Sequence, residues 1–314
     1  MPIIYVESMD AFYGKTTDEQ PITTNNRLLM KTYFDCIPCF VRQTLDSVRL
    51  ITDDEQVHET VMREVLRLAC KMDLHQSPPL MGQKIHRLIR ELVGTEDPYR
   101  KVKGKFNNIA LKLYPKLRQI IVCSEDPLAT AVRLAIAGNI IDFGVNSTLH
   151  ETDLEETISQ SLSDEFVGMQ LEPFRNAVNK AEDILYIADN AGEIVFDRLL
   201  IEQLPYEKVT VVVKGMPVIN DATMEDAVVA GLPRIVEVID NGSDGPGTIL
   251  ESCSRQFRYR FDNADLIIAK GQGNYETLSD VDKDIFFILK AKCPVIARHL
   301  RCEIGSMMLI KNEV

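Results

Sequence analysis

Positive charge is in short supply in this chain. Its 314 residues carry 35 Lys and Arg against 47 Asp and Glu, a formal net charge of -12 at pH 7, so its field repels nucleic acid and anionic membrane surfaces. The densest basic run, Arg100, Lys101, Lys103 and Lys105, reads as a solvated helix face and offers no groove for a polyanion. Long apolar runs are missing too. None approaches the roughly 20 residues that span a bilayer, and the first residues lack the basic-then-apolar order of a signal peptide. These absences predict a cytoplasmic protein with no membrane or nucleic-acid partner.

Closely spaced cysteine is equally scarce. There are seven, an odd number, and only Cys36 and Cys39 lie near each other, which argues against a disulfide framework. No second CxxC exists to complete a four-cysteine zinc site. A redox-active pair needs a preceding strand, and Thr32 to Asp35 is too short to supply one. Cys36 and Cys39 therefore read as packing residues or an accessory metal contact. The histidines at 58, 75, 86, 150 and 299 show no ligand spacing. A GxGxxG fingerprint is absent, and Gly271-Gln-Gly273 is too short to replace it, which argues against NAD.

What is present is a globular composition, 45% hydrophobic and 26% charged, in a chain long enough for one large domain or two ordinary ones. Residues 1–30 carry no sustained period and read as a peripheral extension. Residues 31–180 read as a helical subdomain. Thr52 and Glu55 suggest a capping box ahead of Val57, Val61, Val65 and Leu68. After Ser77-Pro78-Pro79, a second helical run passes through Met81, Ile85, Leu88, Ile89 and Leu92 to Gly94. Asp97 and Pro98 open a third, and Pro127 starts an almost wholly apolar fourth, Leu128 to Ile136.

The period changes after residue 182. Asp183 to Ala188, Val209 to Val213, Ile235 to Ile239 and Leu266 to Ala269 are short apolar runs of the kind covered on both faces. Helical stretches separate them: Ile194 to Leu204, Asp221 to Ala230 and Ile249 to Phe261. This alternation predicts an α/β fold in which residues 181–314 form a parallel, Rossmann-like βαβ sheet beside the helical subdomain.

Ligands of open α/β sheets bind beyond the carboxyl ends of the strands, where loops and helix N-termini converge. The residues following the four runs are Asp189 and Asn190, Lys214, Asp240 and Asn241, and Lys270. Asp189, Asn190 and Asp221 supply oxygen donors suited to Mg²⁺ or Mn²⁺. Lys214 and Lys270 suit the oxygens of a phosphate held against that cation. Plainer readings stand beside these: Asn190 with Glu193 as a cap, Asp221 as an N-cap, and Asp240-Asn241-Gly242 as a turn.

The runs Asp189-Asn190-Ala191-Gly192-Glu193, Lys214-Gly215-Met216-Pro217 with Asn220-Asp221, Lys270-Gly271-Gln272-Gly273-Asn274-Tyr275, and Ala137-Gly138-Asn139-Ile140-Ile141-Asp142 resemble the damage-control phosphatase family, long catalogued as domain of unknown function 89. Cys36-Ile37-Pro38-Cys39 resembles its stand-alone subfamily with a CxxC pair. The resemblance covers residue 31 onward. It implies metal ligation by Asp189, Asn190 and Asp221, with Lys214 and Lys270 facing the phosphate and Asn139, Asp142 and Asn274 lining the pocket. It implies hydrolysis of phosphomonoesters of small metabolites, sugar phosphates or damaged cofactor intermediates, with Mn²⁺, Co²⁺ or Ni²⁺ often preferred over Mg²⁺. Asp142 or Glu193 is then the candidate general base, and Asp189 reads as a ligand more readily than as a nucleophile. The alternatives are a protein carboxyl methyltransferase using S-adenosylmethionine, and a sugar-phosphate-binding protein without catalysis.

Overall fold

The structure is a computed structural model and describes residues 23–24, 27–28, 30–138, 158–159, 161–162 and 170–312. Asn139 and Asp142, two of the expected pocket residues, lie outside the described residues.

Among the described residues the helical part comprises α1 (Cys36–Ile51), α2 (Glu55–Ala69), α3 (Pro78–Val93), α4 (Arg100–Val122) and α5 (Pro127–Ala137). Local chemistry sets their ends. The expected capping box at Thr52 is not what starts α2. Asp54 caps it, accepting from Gln56 N at 2.8 Å, while Thr52 Oγ1 accepts from Asp54 N at 3.2 Å. Gly94 ends α3 with a φ of 71°, and Pro127 opens α5 behind Asp126, whose side chain accepts from Ala129 N. Val48, Val61, Val65, Met81, Ile85 and Ile89 pack α1, α2 and α3 into one small core.

Helix α6 (Leu171–Lys180) leads into six strands: β1 (Ile184–Ile187), β2 (Val209–Val213), β3 (Glu237–Asp240), β4 (Leu266–Lys270), β5 (Ile285–Lys290) and β6 (Met307–Lys311). Between them run α7 (Glu193–Ile201), α8 (Met224–Ala230), α9 (Arg255–Asn263), α10 (Gly271–Leu278) and α11 (Pro294–Leu300). The spatial order is β3-β2-β1-β4-β5-β6, parallel except that β6 runs antiparallel to β5. The last two strands extend the sheet beyond the four expected. β3 begins two residues later than expected and is an edge strand with Glu237 and Asp240 exposed, not a strand covered on both faces.

Strand residues alternate between two cores, as a pleat requires. Ile184 and Tyr186 of β1 face a core shared with α4, α5 and α7, whereas Leu185 and Ile187 face one shared with α9, α10 and α11. The chain crosses back over the sheet after β3, so β1 and β4 lie side by side while the connections on either side of them diverge. That junction is the topological switch point of a doubly wound sheet. The register Ile187↔Ala269 brings Asp189 and Lys270 to it.

Candidate active site

Backbone pairing, before any side chain, draws the expected ligands together. Ala222 N donates to Asp189 O at 2.8 Å and Ala191 N to Asn220 O at 2.8 Å, forming a short bridge that sets Asn190 opposite Asp221. Asp221 is no helix cap: Thr223 caps α8 in a capping box with Asp226, which leaves Asp221 in the bridge. Asp189, Asn190 and Asp221 are all buried.

Gly271 determines where the Asp189 carboxylate lies. A Cβ at that position would sit 1.9 Å from Asp189 Oδ2, and the backbone there has a φ of 80°. Only glycine combines that conformation with that close approach. Asn190 Nδ2 donates to Asp189 Oδ2 at 2.8 Å and to Glu193 Oε2 at 2.9 Å. Two carboxylates fix which end of the amide carries nitrogen, because an oxygen there would face both of them. Its Oδ1 is turned away from both acids.

The two lysines occupy different surroundings. Lys214 Nζ lies 3.3 Å from Asp221 Oδ2 and donates to Gly247 O, which puts it beside the donor set. Lys270 is fully buried and donates to Glu193 Oε1 at 2.7 Å, Asp197 Oδ1 at 2.5 Å and Ala135 O at 3.0 Å. An ammonium has three N–H groups, and these contacts use all three. Lys270 therefore lies behind the Asp189-Asn190 loop, with its N–H groups committed to protein partners. Burial pulls its pKa down, but the Asp197 and Glu193 charges outweigh this and raise it overall. Burial raises Asp197 to about 6, with Lys270 opposing and Glu193 adding to the rise. Tyr186 OH donates to the same Asp197 oxygen at 2.9 Å.

Asn274 is buried and structural in its contacts. Its Nδ2 donates to Lys270 O at 2.7 Å and to Ala188 O at 3.2 Å, and its Oδ1 accepts from Thr248 Oγ1 at 2.7 Å. It ties the ends of β1 and β4 to the 241–248 loop. In that loop Gly242 N donates to Asp240 Oδ1 and Ser243 N to Asn241 Oδ1, so the turn reading holds there.

The types of donor here suit a divalent cation. Two carboxylates and an amide oxygen are hard donors, and a small cation with few protein ligands completes its shell with water and substrate oxygens. Among the described residues no group of three or more His, Cys, Asp and Glu side chains is placed to hold a metal. Cys36 is buried in the core of α1 to α3, its thiol pushed up to about 11 by burial, and Cys39 is exposed.

The profile of the Damage-control phosphatase ARMT1-like domain matches residues 32–308. The chain belongs to the damage-control phosphatase family. A damage-control phosphatase of Pyrococcus horikoshii is 36% identical over 289 residues, 90% of this chain and 99% of that one. One from Archaeoglobus fulgidus is 34% identical over 282 residues, 87% of this chain and 96% of that one. The crystal structure of a DUF89 family protein from Pyrococcus horikoshii matches with a TM-score of 0.83 at 36% identity, covering 90% of this chain and all of that one.

Within this damage-control phosphatase fold, sequence reasoning missed the parts played by three residues. Gly271 was visible as a glycine directly after a strand-end lysine. Asp197 was visible as an acid one helical turn after Glu193. Lys103 carried no such signal: read as part of a solvated face, it is buried, 3.1 Å from Asp226 and 3.3 Å from Asp97.

Proposed function

We propose that this protein is a metal-dependent phosphatase hydrolysing phosphomonoesters of small metabolites, sugar phosphates or damaged phosphometabolites. The observation that carries the reading is the bridge that sets Asn190 against Asp221 at the switch point, with Lys214 beside them. Asp189, Asn190 and Asp221 would hold the cation, Mn²⁺, Co²⁺, Ni²⁺ or Mg²⁺. When bound, it supplies Lewis-acid polarisation of a phosphoryl oxygen and an oriented water.

The chain's own groups do the rest. Lys214 offers positive charge to the non-bridging oxygens as charge develops on them. Glu193 has one oxygen on Asn190 and the other on Lys270. We assign it to orienting the amide rather than to abstracting a proton. Lys270 holds Glu193 and Asp197 in place through its N–H groups. Asp142 is left as the candidate base on resemblance alone. Membership of the family and relatives named damage-control phosphatases support the activity and its substrate class.

The test strips metal from the protein with chelator, returns single divalent ions, and follows phosphate release from an aryl phosphate, a sugar-phosphate panel and a phosphodiester. Monoesters should exceed the diester at least tenfold, since a diester offers fewer free oxygens to charge-assisted contacts. Asp189→Ala, Asn190→Ala and Asp221→Ala should each lower kcat/KM by about 100-fold or more. Wild-type turnover in all three variants overturns the site. Methyl transfer from S-adenosylmethionine to protein carboxylates without phosphate release overturns the reaction class.

A further inference from the structure

Asn107 lies on α4, in the helical part of the chain, 2% exposed and far in sequence from every strand end. Its Oδ1 accepts from Gly192 N at 2.7 Å and its Nδ2 donates to Asp226 Oδ1 at 2.8 Å. Gly192 is the residue before α7 and follows Asn190 by two positions. A buried N–H at a helix start has no partner within its own helix and must find one elsewhere. Asp226 closes the capping box of α8, accepting at Oδ2 from Thr223 N and Thr223 Oγ1, both at 2.8 Å, and from Lys103 at 3.1 Å. Thr223 follows Asp221 by two positions. The amide of Asn107 thus touches Gly192, two residues from Asn190, and reaches the Asp221 segment through Asp226, five residues after Asp221, whose other oxygen holds Thr223.

We propose that Asn107 is a positioning residue of the active site, its amide setting the Asp189-Asn190 loop against the Asp221 segment so that the donors of both meet on one cation. The inference rests on the reading of Asp189, Asn190 and Asp221 as metal ligands. The chemistry explains why asparagine stands here. The position needs an acceptor on one side and a donor on the other, less than 3 Å from each partner. Aspartate would set a second carboxylate against Asp226 in a buried place, and an apolar residue would leave Gly192 N–H unpaired. Backbone pairing fixes the height of the two segments along the strands, whereas the Asn107 contacts fix their approach from the α4 side.

The experiment uses the full chain as wild type, Asn107→Ala, Asn107→Asp, and Asn107→Asp with Asp226→Asn. Manganese binding is followed by the paramagnetic resonance of free Mn²⁺, alongside kcat, KM and urea unfolding. Asn107→Ala should weaken Mn²⁺ binding about tenfold and lower kcat with a smaller change in KM, a pattern that a purely structural loss spread over the fold would not give. Asn107→Asp should do worse. The exchanged pair restores an acceptor toward Gly192 and a donor-acceptor contact between positions 107 and 226, and should recover Mn²⁺ affinity to within about threefold of wild type.

Wild-type Mn²⁺ binding and kcat in Asn107→Ala overturn the proposal, even if that variant is less stable. If Asn107→Ala does not fold, the exchanged pair decides: recovery supports the proposal, and failure to fold or to recover overturns it. Absence of Mn²⁺ binding in the wild type removes the ligand reading itself, and the proposal with it.

Discussion

A methyl group at position 271 would collide with Asp189 Oδ2 in a backbone conformation with φ of 80°. Gly271→Ala should therefore move the carboxylate and lower kcat/KM by about 100-fold. It should also cost about 1 kcal/mol or more of stability through its backbone conformation. Gly94→Ala is the matched control. Its φ is 71° but nothing lies within 4 Å of the added carbon, so a similar stability loss of about 1 kcal/mol should leave turnover unchanged; urea unfolding with kcat/KM on both variants separates the effects. Lys270→Met leaves Glu193 and Asp197 buried without their cation, and urea unfolding should show a loss of about 3 to 5 kcal/mol. The identity of the strand-end residues was legible because strand ends can be read from apolar runs. The direction of Lys270 was not, because it is decided by two acids on α7 and a carbonyl on α5 that the chain brings back from 73 to 135 positions away. Lys103 was misread for the same reason: Asp226 is 123 residues distant.

Elements were legible where they were long or wholly apolar. The four helices with clear periodicity and the first four strands follow from hydrophobic spacing alone, as does the parallel sheet. β5 and β6 escaped because the helices flanking them, α10 and α11, have 8 and 7 residues, too few for a 3.6-residue period to stand out. Helix α10 also carries a titrating group. Burial raises Glu276 to about 7, opposed by its hydrogen bond from Gln272 Nε2 at 2.8 Å. A carboxyl whose folded pKa lies above its ordinary value of 4.5 contributes stability that is complete below that value and lost as pH rises through 7. Between pH 4.5 and 8 the wild type should lose up to roughly 3 kcal/mol from this group. Glu276→Gln should lack that decline, so its melting temperature should gain on the wild type as pH rises. A constant offset across the range would show that Glu276 does not titrate in this window.

At the scale of the molecule, charge opposes the substrate class assigned to the site. A net charge of -12 repels a phosphate dianion at a distance, and the positive groups near the ligands act only close by. Raising salt from about 10 mM to 150 mM should therefore increase kcat/KM for a sugar phosphate by roughly two- to threefold, mainly through KM. A fall over the same range would mean that the local positive field dominates the encounter. The strand order has a consequence of another kind, for the route by which the chain reaches this state. β1, β2 and β3 are sequence neighbours and can pair early, but the other flank of β1 waits for β4, and Lys270 must close contacts 73, 77 and 135 residues apart. Contacts of such long separation form late, because loop-closure entropy opposes them until the rest is in place. Glu193 and Asp197 would remain hydrated until then. Weakening the Lys270 cluster should accordingly speed unfolding far more than it slows folding, and stopped-flow urea jumps on Lys270→Met would show the change almost wholly in the unfolding limb.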